Sequence, residues 1–274
     1  MFEHALVAVD LGQDWAALGP RLPGLRRLGT SRLTLVHVAS PGFPVAAEAA
    51  HRRHQQSLLR AAETAMRQLG FEVAGEIRVG DLELELDRAM EQSGAAYLVA
   101  GTHPRGPLHD LVVGNPVLEL ARIAARAVWL EPLSGPAASG GGGGLLLATD
   151  GSDAAAPAER AAMKMLPAFG RGLAVWVKHE GWLGGDDAIH EVDVDIHMRA
   201  LRDACPSMET RVAAGDPATE IRRIAIEEGS DVIILGKRGQ NRIAGLLLGR
   251  TAERICRRAP TAVLLVPELP AEAD

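Results

Sequence analysis

Two hydrophobic patterns alternate along the chain. Short, nearly unbroken apolar runs include Leu6-Val7-Ala8-Val9, Leu145-Leu146-Leu147-Ala148 and Val232-Ile233-Ile234-Leu235. Between such runs lie longer stretches in which apolar residues recur three and four positions apart. The runs fit strands covered on both faces, and the stretches fit amphipathic helices. The pattern predicts strands at 4–9, 33–38, 73–79, 96–100 and 126–130, with helices at 13–28, 44–69, 82–93 and 116–124. It then starts again, with strands at 145–149, 172–177, 209–214, 231–235 and 261–266 and helices at 153–168, 187–203, 217–228 and 250–258. Strands alternating with helices imply parallel sheets with right-handed crossovers. The expected fold class is α/β: two tandem doubly wound domains, each a five-stranded parallel sheet flanked by helices.

The two sets are separated by Ser134-Gly135-Pro136-Ala137-Ala138-Ser139 and the run Gly140 to Gly144, a flexible-linker composition. The expected organisation is therefore a domain at 1–133, a linker at 134–144 and a second domain at 145–274. The halves also resemble each other. Asp10 and Asp150, each closing a first strand, differ by 140 positions, whereas Val79-Gly80-Asp81 and Ala214-Gly215-Asp216 differ by 135. Gly101 and Gly236, Gly114 and Gly249, and Ala127-Val128 and Ala262-Val263 keep that offset of 135. Two copies aligned this far without a gap indicate an internal duplication.

Composition narrows the function. The chain has 274 residues, of which 47% are apolar and 23% charged, enough for two cored domains. A net charge of −6 lacks the basic surplus of a nucleic-acid binder, and 3% aromatic residues leave little stacking surface for single strands. Two cysteines, Cys205 and Cys256, do not make a disulfide framework and fit a reducing, cytoplasmic setting. Met1-Phe2-Glu3-His4 has no basic leader segment, and no run reaches the ~20 apolar residues of a membrane span. Neither nucleic acid nor a membrane is an expected partner.

The chemistry concentrates after the fourth strand of the second copy. There the chain reads Gly236-Lys237-Arg238-Gly239, and Gly249-Arg250-Thr251 follows at a helix start. A glycine loop at the carboxyl end of a parallel strand lets backbone approach an anion closely, and the helix N-terminus adds unpaired amides and a positive dipole end. Lys237, Arg238, Arg242 and Arg250 supply cations, and Asp150 belongs on the same rim. In the first copy Pro104 stands where the second glycine would be, removing a donor, and Asn115 follows Gly114. That copy is expected to be structural.

At these residues the chain resembles the universal stress protein family, whose nucleotide-binding members carry Gly-x2-Gly-x9-Gly followed by Ser or Thr. Gly236, Gly239 and Gly249 match three of the four positions; Arg250 occupies the fourth. Leu247-Leu248-Gly249, Thr251-Ala252-Glu253-Arg254 and Ala259-Pro260-Thr261-Ala262 also resemble the family. The resemblance implies ATP or a related adenine nucleotide as ligand, with or without Mg2+. It places Asp150-Gly151 against the adenosine end, a backbone group of Val177 against adenine, and Gly236, Lys237, Arg238, Gly239, Gly249, Arg250 and Thr251 around the phosphates. It implies a stress-response sensor or regulator with an unidentified protein partner. It also implies pairing of the two halves about a pseudo-two-fold through strands 126–130 and 261–266, or a homodimer.

Each sharp reading has a plain counterpart. The glycines also fit a tight loop without ligand, Asp150 a helix N-cap, and Lys237 and Arg238 solvated loop charges. Arg250 either strengthens phosphate binding as a forked donor or fills the site, leaving a nucleotide-free interaction scaffold. His190, Asp193 and His197 have a metal-like spacing, but 191–196 alternates as a strand would, so a solvated face is expected. His37, His103 and His109 read as ordinary residues, and Cys256 as an inert buried thiol. No Gly-x-Ser-x-Gly elbow or Gly-Lys-Ser/Thr loop is present, so a dedicated catalyst is not expected, with slow ATP hydrolysis left open.

Overall fold

A computed structural model describes residues 2–11, 14–39, 45–102, 116–134, 142–178, 187–239 and 248–268, leaving aside the side chains of 45–50, 116–117, 123 and 187–193. The chain divides into two compact units, Met1–Ser139 and Gly140–Asp274.

In the first unit the strands are β1 (His4–Ala8), β2 (Arg32–Ala39), β3 (Glu72–Val79), β4 (Tyr97–Thr102) and β5 (Ala127–Pro132). Its helices are α1 (Trp15–Leu18), α2 (Val45–Gln68), α3 (Leu82–Ser93) and α4 (Pro116–Ile123). All pairings are parallel, in the order β3-β2-β1-β4-β5. The predicted helix at 13–28 is mostly not α-helical: after α1 the chain tightens into a 3-10 helix over Gly19–Leu28. Pro20 and Pro23 remove amide donors and crowd the preceding turn, so the ladder of an α-helix cannot run through them.

The second unit contains β6 (Leu145–Ala148), α5 (Ala156–Phe169), β7 (Gly172–Lys178), α6 (Asp187–Ala204), β8 (Met208–Ala214), α7 (Pro217–Glu227), β9 (Val232–Gly236), α8 (Arg250–Arg257) and β10 (Ala262–Val266). Its parallel order is β8-β7-β6-β9-β10, the same winding as in the first unit. All four residues of β6 and all five of β10 are buried, which explains their unbroken apolar sequences. The strand-like alternation at 191–196 yields to helix α6. Val194, Met198 and Leu201 provide a buried stripe at helical spacing, and packing of that stripe outweighs the local alternation. Helix α7 starts as its sequence suggests. Pro217 is its first residue, and the Asp216 carboxylate accepts from the Thr219 amide at 3.1 Å.

This winding sets the functional geography. The chain runs outward from β6 to one neighbour, β7, and to β9 on the other side, so the carboxyl ends of β6 and β9 flank a topological switch point. In open α/β sheets ligands bind at such points. The register pairs Ala148 with Leu235, which brings Thr149-Asp150 alongside Gly236-Lys237. No described helix is long and apolar enough to cross a membrane.

Candidate functional site

The site is assembled from two strand ends and one helix start. After β6, Asp150 accepts at Oδ1 from the Ser152 amide (3.2 Å) and the Ser152 hydroxyl (2.7 Å), and Ser152 Oγ in turn accepts from the Ala155 amide (3.3 Å). Asp150 therefore shapes the turn and is not the cap of α5, which begins after Ala155 with no side-chain cap. That turn occupies residues 151–155, which is why α5 starts three residues later than its apolar pattern suggests. Gly151 has φ +66°, a conformation costly for residues with a Cβ.

The glycine loop lies against this turn. A Cβ on Gly239 would stand 2.2 Å from Asp150 Oδ2, and one on Gly236 would stand 2.9 Å from the carbonyl oxygen of Ala154. Only glycine lets the loop after β9 pass this close to the turn after β6. The Lys237 backbone anchors both sides of the loop: its amide donates to Val266 O (2.9 Å), and its carbonyl accepts from the Gly249 amide (2.7 Å).

Helix α8 then starts at Arg250, with Gly249 as an N-cap that has no side chain to bond the first-turn amides. Glu253 is the first amide to find a helical acceptor, at Gly249 O (2.9 Å). The amides of Arg250, Thr251 and Ala252 have no acceptor within the helix, and they lie at the positive end of its dipole. One carboxylate in that turn, Glu253, is engaged by Arg257 at 2.9 Å.

The cations behave differently from one another. Arg238 and Arg250 are exposed. Lys237 is not a solvated loop charge, since only 5% of it is exposed. Burial first, and the neighbouring Arg238 charge second, lower its pKa to about 8. Cys256 is buried as expected, and burial pushes its thiol up to about 12, which makes it inert. Val177 lies on β7, two residues past the last β6–β7 register pair, Ala148 with Val175. Arg242 and Leu247 lie outside the described residues, as do His103, Pro104, His109, Gly114 and Asn115 of the first unit.

A family model for the universal stress protein family matches residues 144–267. The chain carries a universal stress protein domain. A Mycobacterium tuberculosis universal stress protein is 34% identical over 82 residues, covering 30% of this chain and 56% of the relative. A Methanocaldococcus jannaschii universal stress protein is 32% identical over 68 residues, covering 25% of this chain and 42% of the relative. The matches thus span about half the length of these curated relatives, 56% of one and 42% of the other. Among solved structures, a universal stress protein from Archaeoglobus fulgidus has a TM-score of 0.76 at 16% identity, covering 96% of each chain. A protein from Pseudomonas aeruginosa described as a putative universal stress protein has 0.68 at 18%, covering 97% of this chain and 94% of its own. At such identities these likenesses show the fold.

Behind the Asp150 turn of this universal stress protein domain lies a polar network that the sequence reading missed. Glu159 of α5 is buried, and its Oε1 accepts from the Thr149 hydroxyl and from His197 Nε2 of α6 (2.8 Å). Thr149 Oγ1 accepts from the Gly151 amide (3.1 Å). The His197 ring meets Trp176 edge-on, with centroids 5.8 Å apart, and the Trp176 ring would be 2.5 Å from a Cβ on Gly151. His197 is therefore half-buried and paired. Among the described residues no group of three or more His, Cys, Asp or Glu is placed to hold a metal. The available signal was Glu159 itself, a carboxylate one helical turn from the buried Ala155 and Ala162.

Proposed function

We propose that the second unit binds ATP or a related adenine nucleotide across the β6–β9 switch point, and that the protein acts as a stress-response sensor or regulator. The observation that carries this reading is the Gly239–Asp150 approach beside the uncapped start of α8. A carboxylate able to accept from hydroxyl groups sits at one end of the rim, and anion-seeking amides with two exposed arginines sit at the other. That polarity suits a ligand with a neutral, hydroxyl-rich part and a phosphate tail. Asp150, Gly151 and Val177 would face the nucleoside. Gly236, Gly239, Gly249, Thr251 and the cations Lys237, Arg238 and Arg250 would surround the phosphates. Mg2+, where present, would arrive on those phosphates.

The exposed Arg250 supports this reading over the scaffold alternative, which requires that side chain to occupy the loop. Calorimetry with a non-hydrolysable ATP analogue tests it. Saturable heat at up to about 1 mM ligand, lost in Gly239→Val, is the expected result. No heat, together with no nucleotide identified by mass spectrometry in the purified protein, would refute it.

A further inference from the structure

The Thr149–Glu159–His197 network has no counterpart among the described residues of the first unit. At the offset of 140, Val9 stands for Thr149 and Gly19 for Glu159, and strand register places His37 where Trp176 stands. His37 there makes a different set of bonds, to Val9 O (2.9 Å) and Gln55 Nε2 (2.7 Å). The buried carboxylate is thus present in the copy that keeps the glycine signature, and it sits directly behind the turn that signature approaches.

We propose that Thr149, Glu159 and His197 act together as positioning residues. They hold the Asp150–Gly151 turn in its left-handed conformation and thereby set the affinity of the rim for the nucleoside part of its ligand. The chain of contacts is continuous. His197 on α6 and Thr149 at the end of β6 both donate to Glu159 on α5. Thr149 then receives the Gly151 amide, and Trp176 covers Gly151 from the other side. Three elements are tied to one turn through one buried carboxylate, which has acceptors only and so orients every donor that meets it. The phosphate end, built from α8 amides and the Lys237 backbone, shares none of these bonds. The network therefore acts on one end of the ligand. This inference rests on the nucleotide reading above.

Thr149→Val, which copies the first unit, tests it on the full chain. Amide exchange at Gly151 is expected to accelerate about tenfold while exchange in β6 and β9 is unchanged. Affinity for the ATP analogue is expected to fall about five- to tenfold, affinity for inorganic tripolyphosphate to stay within about twofold, and Thr149→Ser to restore the first. Glu159→Leu is expected to reproduce the selective loss. Equal losses of both ligands, or failure of serine to rescue in a folded protein, would make the network merely structural. Unchanged Gly151 exchange and unchanged ATP affinity in Thr149→Val would overturn the proposal while leaving nucleotide binding standing. A wild-type protein that binds neither ligand would overturn both.

Discussion

Lys237 offers the sharpest quantitative test, because its ammonium is held where a charge is disfavoured. Its pKa falls from 10.5 to about 8, chiefly through burial. At about 1.4 kcal/mol for each tenfold change in proton affinity, the folded state carries a cost of about 3 kcal/mol wherever both states are protonated. Lys237→Met keeps the buried stem and removes the charge. It is expected to stabilise the second unit by about 1–3 kcal/mol at pH 7, part of the gain being lost to imperfect repacking. The pH dependence has a definite sign. Between pH 8 and 10.5 the unfolded chain retains a proton that the folded chain has released, so wild-type stability from this group rises with pH through that window. The advantage of the variant should therefore shrink below about 1 kcal/mol near pH 10. Urea unfolding of both proteins at the two pH values measures this. A variant that is less stable at pH 7, or an advantage independent of pH, would show that the buried charge is compensated and refute the reasoning. If the charge instead serves an anion, the stabilised variant will bind ATP more weakly, a trade of stability for binding.

Three further outcomes are expected. Gly239→Val places a side chain onto the Asp150 carboxylate and should break its bonds to Ser152, weakening nucleotide affinity about 10- to 100-fold by calorimetry while the circular dichroism of the sheet is kept. Arg254 donates to both oxygens of Asp216 and is the main cause of that carboxyl's depressed pKa, with Thr219 second. Its stabilisation is present above the ordinary carboxylate range and fades as pH falls. Because both side chains are exposed by a third or more, Arg254→Ala should cost no more than about 1 kcal/mol at pH 7, and the difference should shrink steadily as pH falls below the ordinary carboxylate range. Leu146→Ala removes a fully buried side chain from the middle of β6 and should cost about 2–5 kcal/mol in chemical denaturation.

The repeating α/β order, the parallel sheets and the strand–glycine–helix element after β9 were determined by the sequence alone, because they follow from local periodicity and from chain signals such as Asp216-Pro217. The family resemblance of the second half, including the glycines at 236, 239 and 249, was equally legible. Other features depended on groups far apart in sequence. The approach of Gly239 to Asp150 joins residues 89 positions apart, and no pattern within either segment contains it. The Lys237 charge reads as solvated until packing buries it. Alternation at 191–196 competes with the helix predicted at 187–203 until Val194, Met198 and Leu201 find a core. His197 reads as a surface residue until α5 brings Glu159 to it. Local backbone preferences are written into neighbouring residues, whereas desolvation and side-chain pairing arise only when the folded chain excludes water between distant ones.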